Sequence, residues 1–353
     1  MAKQTWFLGA NAPGGFSSLY SQFTTPDRGS LYILKGGPGC GKSTFMRRIS
    51  QTAQDAGLDV EEIRCSGDPN SLDGVYIPAL RKGYVDGTAP HVIEPSCPGS
   101  ADLYLNFSVF YDEDALKPKK EDLQKAFSAY KAEYARAYHW LGAAKAVEDA
   151  ALSPFHDAQT ENAVRRRAQG FCARLLPPSG NGTETKRYLS ALTGSGNLTL
   201  WDTADALADT VCTLDNTYSL APVFLETVLD AARKKGLSRI ICPDPMSPNR
   251  IAHLIFPEAS LAFLSVTPEA PYPKTPFRHI RLDAMLPRKL IQQERASFRK
   301  AAKLRTALLC EAADALGSAN RLHDALEELY RPHVNFDALE RFTNAYIQKF
   351  HPF

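Results

Sequence analysis

One stretch near the amino terminus decides the fold, and it reads Leu31-Tyr32-Ile33-Leu34-Lys35-Gly36-Gly37-Pro38-Gly39-Cys40-Gly41-Lys42-Ser43-Thr44. The apolar run from Leu31 to Lys35 predicts a short strand, and the segment from Lys42 onward has the pattern of a helix that stops at Gly57. Between the two lies Gly-x-x-x-x-Gly-Lys-Ser, the spacing of a Walker A motif. A strand, a glycine-rich turn and a helix in this order predict an α/β fold with a phosphate-binding loop.

The residue types in this loop suit a polyphosphate. Glycines let the backbone turn sharply and bring bare N–H groups against phosphate oxygens, and the following helix adds the positive end of its dipole. Lys42 has the reach to contact the β- and γ-phosphates, and the Ser43 hydroxyl is a suitable ligand for Mg²⁺. The sequence has no Asn-Lys-x-Asp guanine signature, which favours ATP over GTP. We therefore predict that ATP and Mg²⁺ bind at Gly36, Gly37, Pro38, Gly39, Cys40, Gly41, Lys42, Ser43 and Thr44.

The two halves of the chain resemble each other in sequence. Phe7-Leu8-Gly9-Ala10 matches Tyr188-Leu189-Ser190-Ala191, Gly57 matches Gly236, and each matching pair is 179 to 181 residues apart. A repeat of this length indicates a duplicated domain rather than a solenoid unit. We predict a P-loop NTPase domain with a helical arm at 1–176, a linker at 177–185 and a degenerate P-loop-like domain with its own arm at 186–353. In fold class this is a P-loop NTPase-type parallel sheet, duplicated in tandem.

The second copy has lost its phosphate loop. The stretch from Lys35 to Ser43 aligns with Asp215-Asn216-Thr217-Tyr218-Ser219-Leu220-Ala221-Pro222-Val223, where every glycine is gone. Pro222 takes the place of Lys42, and proline fits the first turn of a helix. The second half can therefore keep its shape while losing its affinity for phosphate, and we predict a single nucleotide site in the first half.

The same alignment selects acidic residues that are present only in the first half. Asp86 follows an apolar strand, where a Walker B carboxylate holds Mg²⁺, and its counterpart is Ser265. Asp73, whose counterpart is Ala252, is the alternative Walker B residue. Both acids precede glycine, so each also fits a simple turn. We predict Asp86 and Ser43 as metal ligands, and Lys42 and Asp86 as catalytic residues.

Two further groups are weaker candidates. His91 stands alone beside a proline and fits either a catalytic base or a structural loop residue. The triplet Arg165-Arg166-Arg167 fits either an arginine finger or a solvated helix face.

Each half also contains a long amphipathic helix, from about Leu123 to Ala144 in the first and from about Pro287 to Tyr330 in the second. A further helix follows each of them, at Asp157 to Leu175 and at Asp337 to Phe350. The periodicity allows two arrangements: the arms pair with each other, or they present a surface to a protein partner.

Composition argues against a protein that binds nucleic acid through its overall charge, contains a disulfide framework or spans a membrane. The chain has 353 residues, 44% hydrophobic and 23% charged, with a net charge of +2, so no global field attracts nucleic acid. The seven cysteines are scattered, with no Cys-x-x-Cys pair, as expected for reduced thiols in a cytoplasmic protein. No stretch approaches the length of apolar sequence that spans a membrane.

Several segments together resemble a family of bacterial P-loop ATPases, or nucleotide-kinase-like proteins, with duplicated P-loop domains. The resemblance is carried by residues 34–44, by Ser71-Leu72-Asp73-Gly74-Val75 and by Asp86-Gly87-Thr88-Ala89-Pro90-His91. It implies a two-copy ATPase, and it draws attention to Asp73 and His91.

Three functions follow as hypotheses. The first is a Mg²⁺-dependent ATPase, an NTP hydrolase. The second is a nucleotide or small-molecule kinase in which the helical arm acts as a lid. The third is an ATP-dependent switch or scaffold with negligible turnover, which presents its long helices to a partner.

Overall fold

The computed structural model describes residues 3–23, 29–178 and 180–349. The chain forms two six-stranded α/β layers joined by a pair of long helices. In the first half the elements are β1 (Lys3–Phe7), β2 (Gly9–Ala12), β3 (Gly15–Ser18), β4 (Ser30–Lys35), α1 (Lys42–Asp55), β5 (Val60–Arg64), β6 (Leu72–Ile77), β7 (Lys82–Asp86), β8 (Asp102–Asn106), α2 (Glu113–Leu116), α3 (Lys120–Leu152) and α4 (Ala158–Leu175).

The second half repeats the order of the strands and of the three longer helices, adds a short helix after its third strand and has no counterpart of α2 among its described residues. Its elements are β9 (Glu184–Lys186), β10 (Ser190–Thr193), β11 (Gly196–Thr199), α5 (Trp201–Leu207), β12 (Thr210–Asp215), α6 (Ala221–Lys234), β13 (Arg239–Asp244), β14 (Ser247–Phe256), β15 (Leu261–Val266), β16 (Arg278–Ile280), α7 (Arg288–Tyr330) and α8 (Phe336–Lys349).

The strand order is the same in the two sheets. The first sheet runs β1-β5-β6-β7-β4-β8 and the second β9-β13-β14-β15-β12-β16, so each strand occupies the place of its counterpart. Each half also has a separate hairpin, β2–β3 in the first and β10–β11 in the second. The common topology is consistent with the duplication that the sequence predicts.

The prediction of a parallel sheet holds only in part, because both sheets are mixed. β4 runs parallel to β7 and β8, but β6 runs antiparallel to both of its neighbours, and β14 does the same in the second sheet. The connections on either side of β6 are short, whereas parallel neighbours need a crossover of a dozen or more residues. Short connections therefore force β6 and β14 to reverse direction.

The two long helices pair with each other, which is one of the two arrangements that the sequence allowed. α3 and α7 run antiparallel, since Phe127 lies against Tyr330 near one end and Glu148 pairs with Arg305 at 2.8 Å farther along. Small residues at the contact, among them Ala137 and Ala312, are fully buried and let the helices approach closely.

The last helix of each half packs against the other half. α4 packs on α6, where Phe171 lies 5.9 Å from Phe224 between ring centroids. α8 packs on α1, with Tyr346 lying 5.2 Å from Phe45. Each sheet is therefore covered by a helix that belongs to the other half of the repeat.

One predicted boundary differs from the structure, and two predicted segments include residues outside the described ranges. The predicted linker at 177–185 overlaps β9 at Glu184, and its Ser179 lies outside the described residues. The predicted last helix reaches Phe350, which also lies outside them.

None of the helices in the described ranges combines the length and apolar character needed to cross a membrane.

Candidate functional site

The glycine-rich loop, residues 36–43, connects the end of β4 to the start of α1. Gly39 and Gly41 have φ angles of 69° and 82°, in the left-handed region that L side chains rarely adopt. A side chain at Gly41 would also collide with Leu339 of α8, which is 2.6 Å from the position of a Cβ atom. Two glycines of the motif are therefore required by backbone geometry.

Lys42 and Asp86 lie together at the end of the first sheet. The Lys42 ammonium donates to the carbonyl oxygens of Gly36 and Gly37 at 2.8 and 2.9 Å, and it lies 3.6 Å from Asp86 Oδ2. The other Asp86 oxygen accepts from the backbone N–H and the hydroxyl of Thr88 at 2.8 and 2.6 Å. The structure thus brings together the cation and the carboxylate that the sequence places far apart.

The remaining loop residues have distinct surroundings. Ser43 Oγ accepts a hydrogen bond from the backbone N–H of Leu72 at 2.9 Å, while Thr44 is exposed. The Cys40 thiol is buried and donates to the Gly37 carbonyl at 3.0 Å. Burial raises the pKa of Cys40, which disfavours a reactive thiolate. The Pro38 carbonyl accepts from the hydroxyl of Tyr111 at 2.7 Å.

A carboxylate from the second half contacts the loop. Glu327, near the end of α7, accepts a hydrogen bond from the Gly39 N–H at 3.2 Å through its Oε1 atom. Backbone N–H groups in such a loop are the donors that bind anions. A negatively charged group of the protein itself therefore lies on one of these donors.

A second buried cluster lies beside Asp86. Asp73 accepts a hydrogen bond from the Tyr20 hydroxyl at 2.8 Å, and its Oδ2 atom lies 3.3 Å from His91 Nε2. Burial raises the pKa of Asp73; the nearby His91 opposes this shift, and Asp86 adds to it. Burial and the Asp73 charge also raise the pKa of the Cys65 thiol.

The corresponding loop of the second half is differently built. Pro222 lies in the first turn of α6, and Leu220 and Ala221 are buried in the core. Asp215, at the position of Lys35, lies 2.8 Å from His279 Nε2. The second loop therefore has neither the lysine nor the glycines.

The arginine triplet lies away from the glycine-rich loop. Arg165 pairs with Glu161 at 3.0 Å on α4, the helix that covers the second sheet, whereas the loop contacts α7 and α8. Sequence reasoning did not single out Tyr20, Tyr111 or Glu327. For Tyr20 a signal existed, since its counterpart in the second half is Trp201. For Glu327 there was none, because its contact spans 288 residues.

Comparisons with known proteins give no relative on which to base a function. No family model, no curated protein and no solved structure matches this chain. Within the described ranges, no group of three or more His, Cys, Asp or Glu side chains is arranged to hold a metal ion.

Proposed function

We propose that the first half of this chain binds ATP with Mg²⁺ at the glycine-rich loop and hydrolyses it. The observation that carries the proposal is the position of Lys42, which lies 3.6 Å from Asp86 at the end of a loop whose Gly39 N–H already binds a carboxylate. A fixed cation, a nearby acid and an amide donor together form the elements of a phosphate site.

Each residue has a role in this proposal. The backbone N–H groups of the loop, which residues 36–41 supply except for Pro38, bind the phosphate oxygens, and Lys42 neutralises charge on the γ-phosphate. Ser43 and Asp86 supply two oxygen ligands for Mg²⁺. Mg²⁺ is usually held by one or two protein oxygens together with phosphates and water, so two such residues fit the ion without a cluster of three. Bound Mg²⁺ would stabilise the negative charge that develops on the phosphates.

The second half acts as a companion to this single site. It retains the strand order but has Pro222 and Ser265 where the first half has Lys42 and Asp86. Its helices α7 and α8 close over the loop of the first half. We also propose that the protein is cytoplasmic, because its seven cysteines are scattered in the sequence, as is typical of reduced thiols.

The contact of Glu327 with Gly39 favours a second candidate, a nucleotide-dependent switch. A nucleotide that occupies the loop must displace this carboxylate, and α7 carries the change into the paired arms. The kinase alternative has no comparable support, since the Arg165-Arg166-Arg167 triplet, the candidate arginine finger, lies on α4 over the second sheet.

The first test is the Lys42→Ala variant. Loss of a charged hydrogen-bond donor costs roughly 1.5–3 kcal/mol, so we expect ATP to bind about 10- to 100-fold more weakly. Binding is measured by calorimetry, and phosphate release is followed with and without Mg²⁺. Lys131→Ala, on an exposed part of α3, is the control and is expected to behave as wild type. Unchanged ATP binding in Lys42→Ala would refute the site. If the wild-type protein binds ATP but releases no phosphate, the result favours the switch.

A further inference from the structure

The cluster of Tyr20, Asp73 and His91 is buried more deeply than stability alone explains. Their exposed fractions are 2%, 6% and 8%. Burying ionisable groups carries a desolvation cost that a single pairing often fails to recover. A hydrophobic cluster of similar size would stabilise this position at least as well, so the polar groups call for another explanation.

Only one of the two ring nitrogens of His91 has a polar partner in the described ranges. Its ring lies 4.6 Å from the Tyr20 ring and 5.5 Å from the Phe16 ring between centroids. Nε2 faces Asp73 at 3.3 Å, whereas Nδ1 is buried and has no hydrogen-bond partner among the described residues. A buried polar atom without a partner costs about 1–3 kcal/mol. One nitrogen of His91 is therefore oriented by a carboxylate, while the other has no partner in the described part of the chain.

The backbone places this histidine close to the Lys42 end of the sheet. His91 ends the turn that begins at Asp86, and its N–H donates to the Thr88 carbonyl at 2.9 Å. Asp73 lies on β6, whose neighbour β7 ends at Asp86, and the two carboxylates are near enough for the Asp86 charge to raise the pKa of Asp73. Asp73 is thus one strand farther from Lys42 than Asp86.

The second half has the same strand order but lacks the cluster. The counterparts of Tyr20, Asp73 and His91 are Trp201, Ala252 and Ala270, although the strands around them keep the same order. The fold therefore does not require the carboxylate or the imidazole. Both groups occur only in the half that also has Lys42 and Asp86.

We propose that His91 is the general base of the reaction and that Asp73 is its positioning residue. The inference rests on the proposed ATPase function. A water molecule attacks the γ-phosphorus and gives one proton to His91 Nδ1 while the new O–P bond forms. The bond from the γ-phosphorus to the β,γ-bridging oxygen breaks, and its electron pair stays with the departing ADP. Asp73 stabilises the imidazolium that results and fixes the orientation of the ring.

The test compares two buried histidines, one from each half. His91→Gln removes the base but keeps a polar side chain, and we expect phosphate release to fall about 10²- to 10⁴-fold while the Kd for ATP changes less than about threefold. His253→Gln is the matched control: His253 is 4% exposed, and its Nδ1 also has no partner. This control is expected to hydrolyse ATP as wild type does. Circular dichroism and thermal unfolding establish that both variants are folded.

Asp73→Asn provides a second route if His91→Gln does not fold, since the amide keeps the shape of the carboxylate. It is expected to lower the rate of phosphate release while leaving the Kd for ATP within about threefold of wild type. Wild-type turnover in folded His91→Gln or Asp73→Asn overturns the proposal, and so does a loss of ATP binding that matches the loss of turnover. If wild type binds no ATP, or binds it without releasing phosphate, the ATPase function itself fails, which is a distinguishable result.

Discussion

Glu327 places a negative charge where a nucleotide phosphate would lie. Its carboxylate accepts from the Gly39 N–H, and the side chain is partly open to solvent. An exposed carboxylate can swing away at little cost, but its charge repels an incoming polyphosphate as long as it stays nearby. If the loop binds a nucleotide as we propose, we expect Glu327 to oppose that binding without blocking it.

Removing this charge is expected to tighten ATP binding. We expect Glu327→Gln to lower the Kd for ATP about three- to tenfold, because a unit charge a few ångströms away is worth on the order of 1 kcal/mol where water screens it fully. Calorimetry on both proteins measures the effect. Glu328→Gln is the control, since Glu328 is exposed and pairs with Arg331 at 3.1 Å instead. Equal or weaker binding in Glu327→Gln would show that the contact with Gly39 does not compete with the nucleotide.

The candidate site could be predicted from sequence only where its residues are close in the chain. Residues 36–43 carry their own pattern, and Asp86 was selected because its counterpart, Ser265, is not acidic. The partnership of Asp73 with His91 was not predicted, because it depends on how the turn after β7 folds back over β6. Glu327 reaches the loop from the other half of the molecule, and no local pattern reports such a contact.

At the level of elements, α7 lies unusually close to the hairpin β10–β11. A Cβ atom at Gly194, in the turn of the hairpin, would lie 2.7 Å from the Gly317 Cα atom and 2.8 Å from its backbone nitrogen. Both obstacles are backbone atoms of a long helix, which cannot move aside cheaply. The two glycines thus permit the helix and the hairpin to touch.

Adding a methyl group at this contact is expected to destabilise the protein. Overpacking typically costs about 1–3 kcal/mol, and we expect Gly194→Ala to lower the free energy of unfolding by that amount in urea titrations. Gly170→Ala is the matched control. Gly170 lies inside α4 with nothing within 4 Å of a Cβ atom, so alanine there is expected to stabilise the helix by about 0.5–1 kcal/mol. A neutral Gly194→Ala would mean that the hairpin shifts freely relative to α7.

The elements themselves show which features are encoded locally. The helical periodicity predicted both long helices, and the apolar run from Leu31 to Lys35 predicted β4, which spans Ser30–Lys35. β6 was missed: Leu72–Ile77 contains Asp73-Gly74, which fits a turn as well as a strand. The direction of β6 and the pairing of α3 with α7 depend on partners elsewhere in the chain, and periodicity carries no information about partners.

For the molecule as a whole, the contacts between the halves have an approximate two-fold character. Phe7 and Tyr188, equivalent positions in the repeat, exchange a pair of backbone hydrogen bonds at 3.0 and 2.9 Å. The Thr5 N–H donates to Thr203 Oγ1, and at the equivalent place the Lys186 N–H donates to Gln22 Oε1. Equivalent residues that contact each other reciprocally are the mark of an isologous interface. The exchange of α4 and α8 extends this symmetry, so one chain has the organisation of a domain-swapped dimer.

This exchange predicts how the molecule behaves when its chain is divided. A fragment of residues 1–178 keeps the first sheet but lacks α8, leaving Phe45 and Tyr84 without Tyr346. A fragment of residues 179–353 lacks α4, which exposes Phe224. We expect each fragment alone to aggregate, because its sheet loses an apolar cover.

Co-expressed, the two fragments are expected to assemble into a soluble one-to-one complex in which each covers the sheet of the other. A tag on one fragment and size-exclusion chromatography measure the assembly, and the intact chain cut at a protease site inserted within 177–183 is the control, expected to stay together after cleavage. A monomeric fragment that unfolds cooperatively by itself would contradict the prediction, because its sheet would then be stable without the exchanged helix. Assembly of the fragments would show that the two halves stabilise each other. The contacts of Glu327 and Leu339 with the glycine-rich loop would then depend on the same assembly, because both residues belong to the second half.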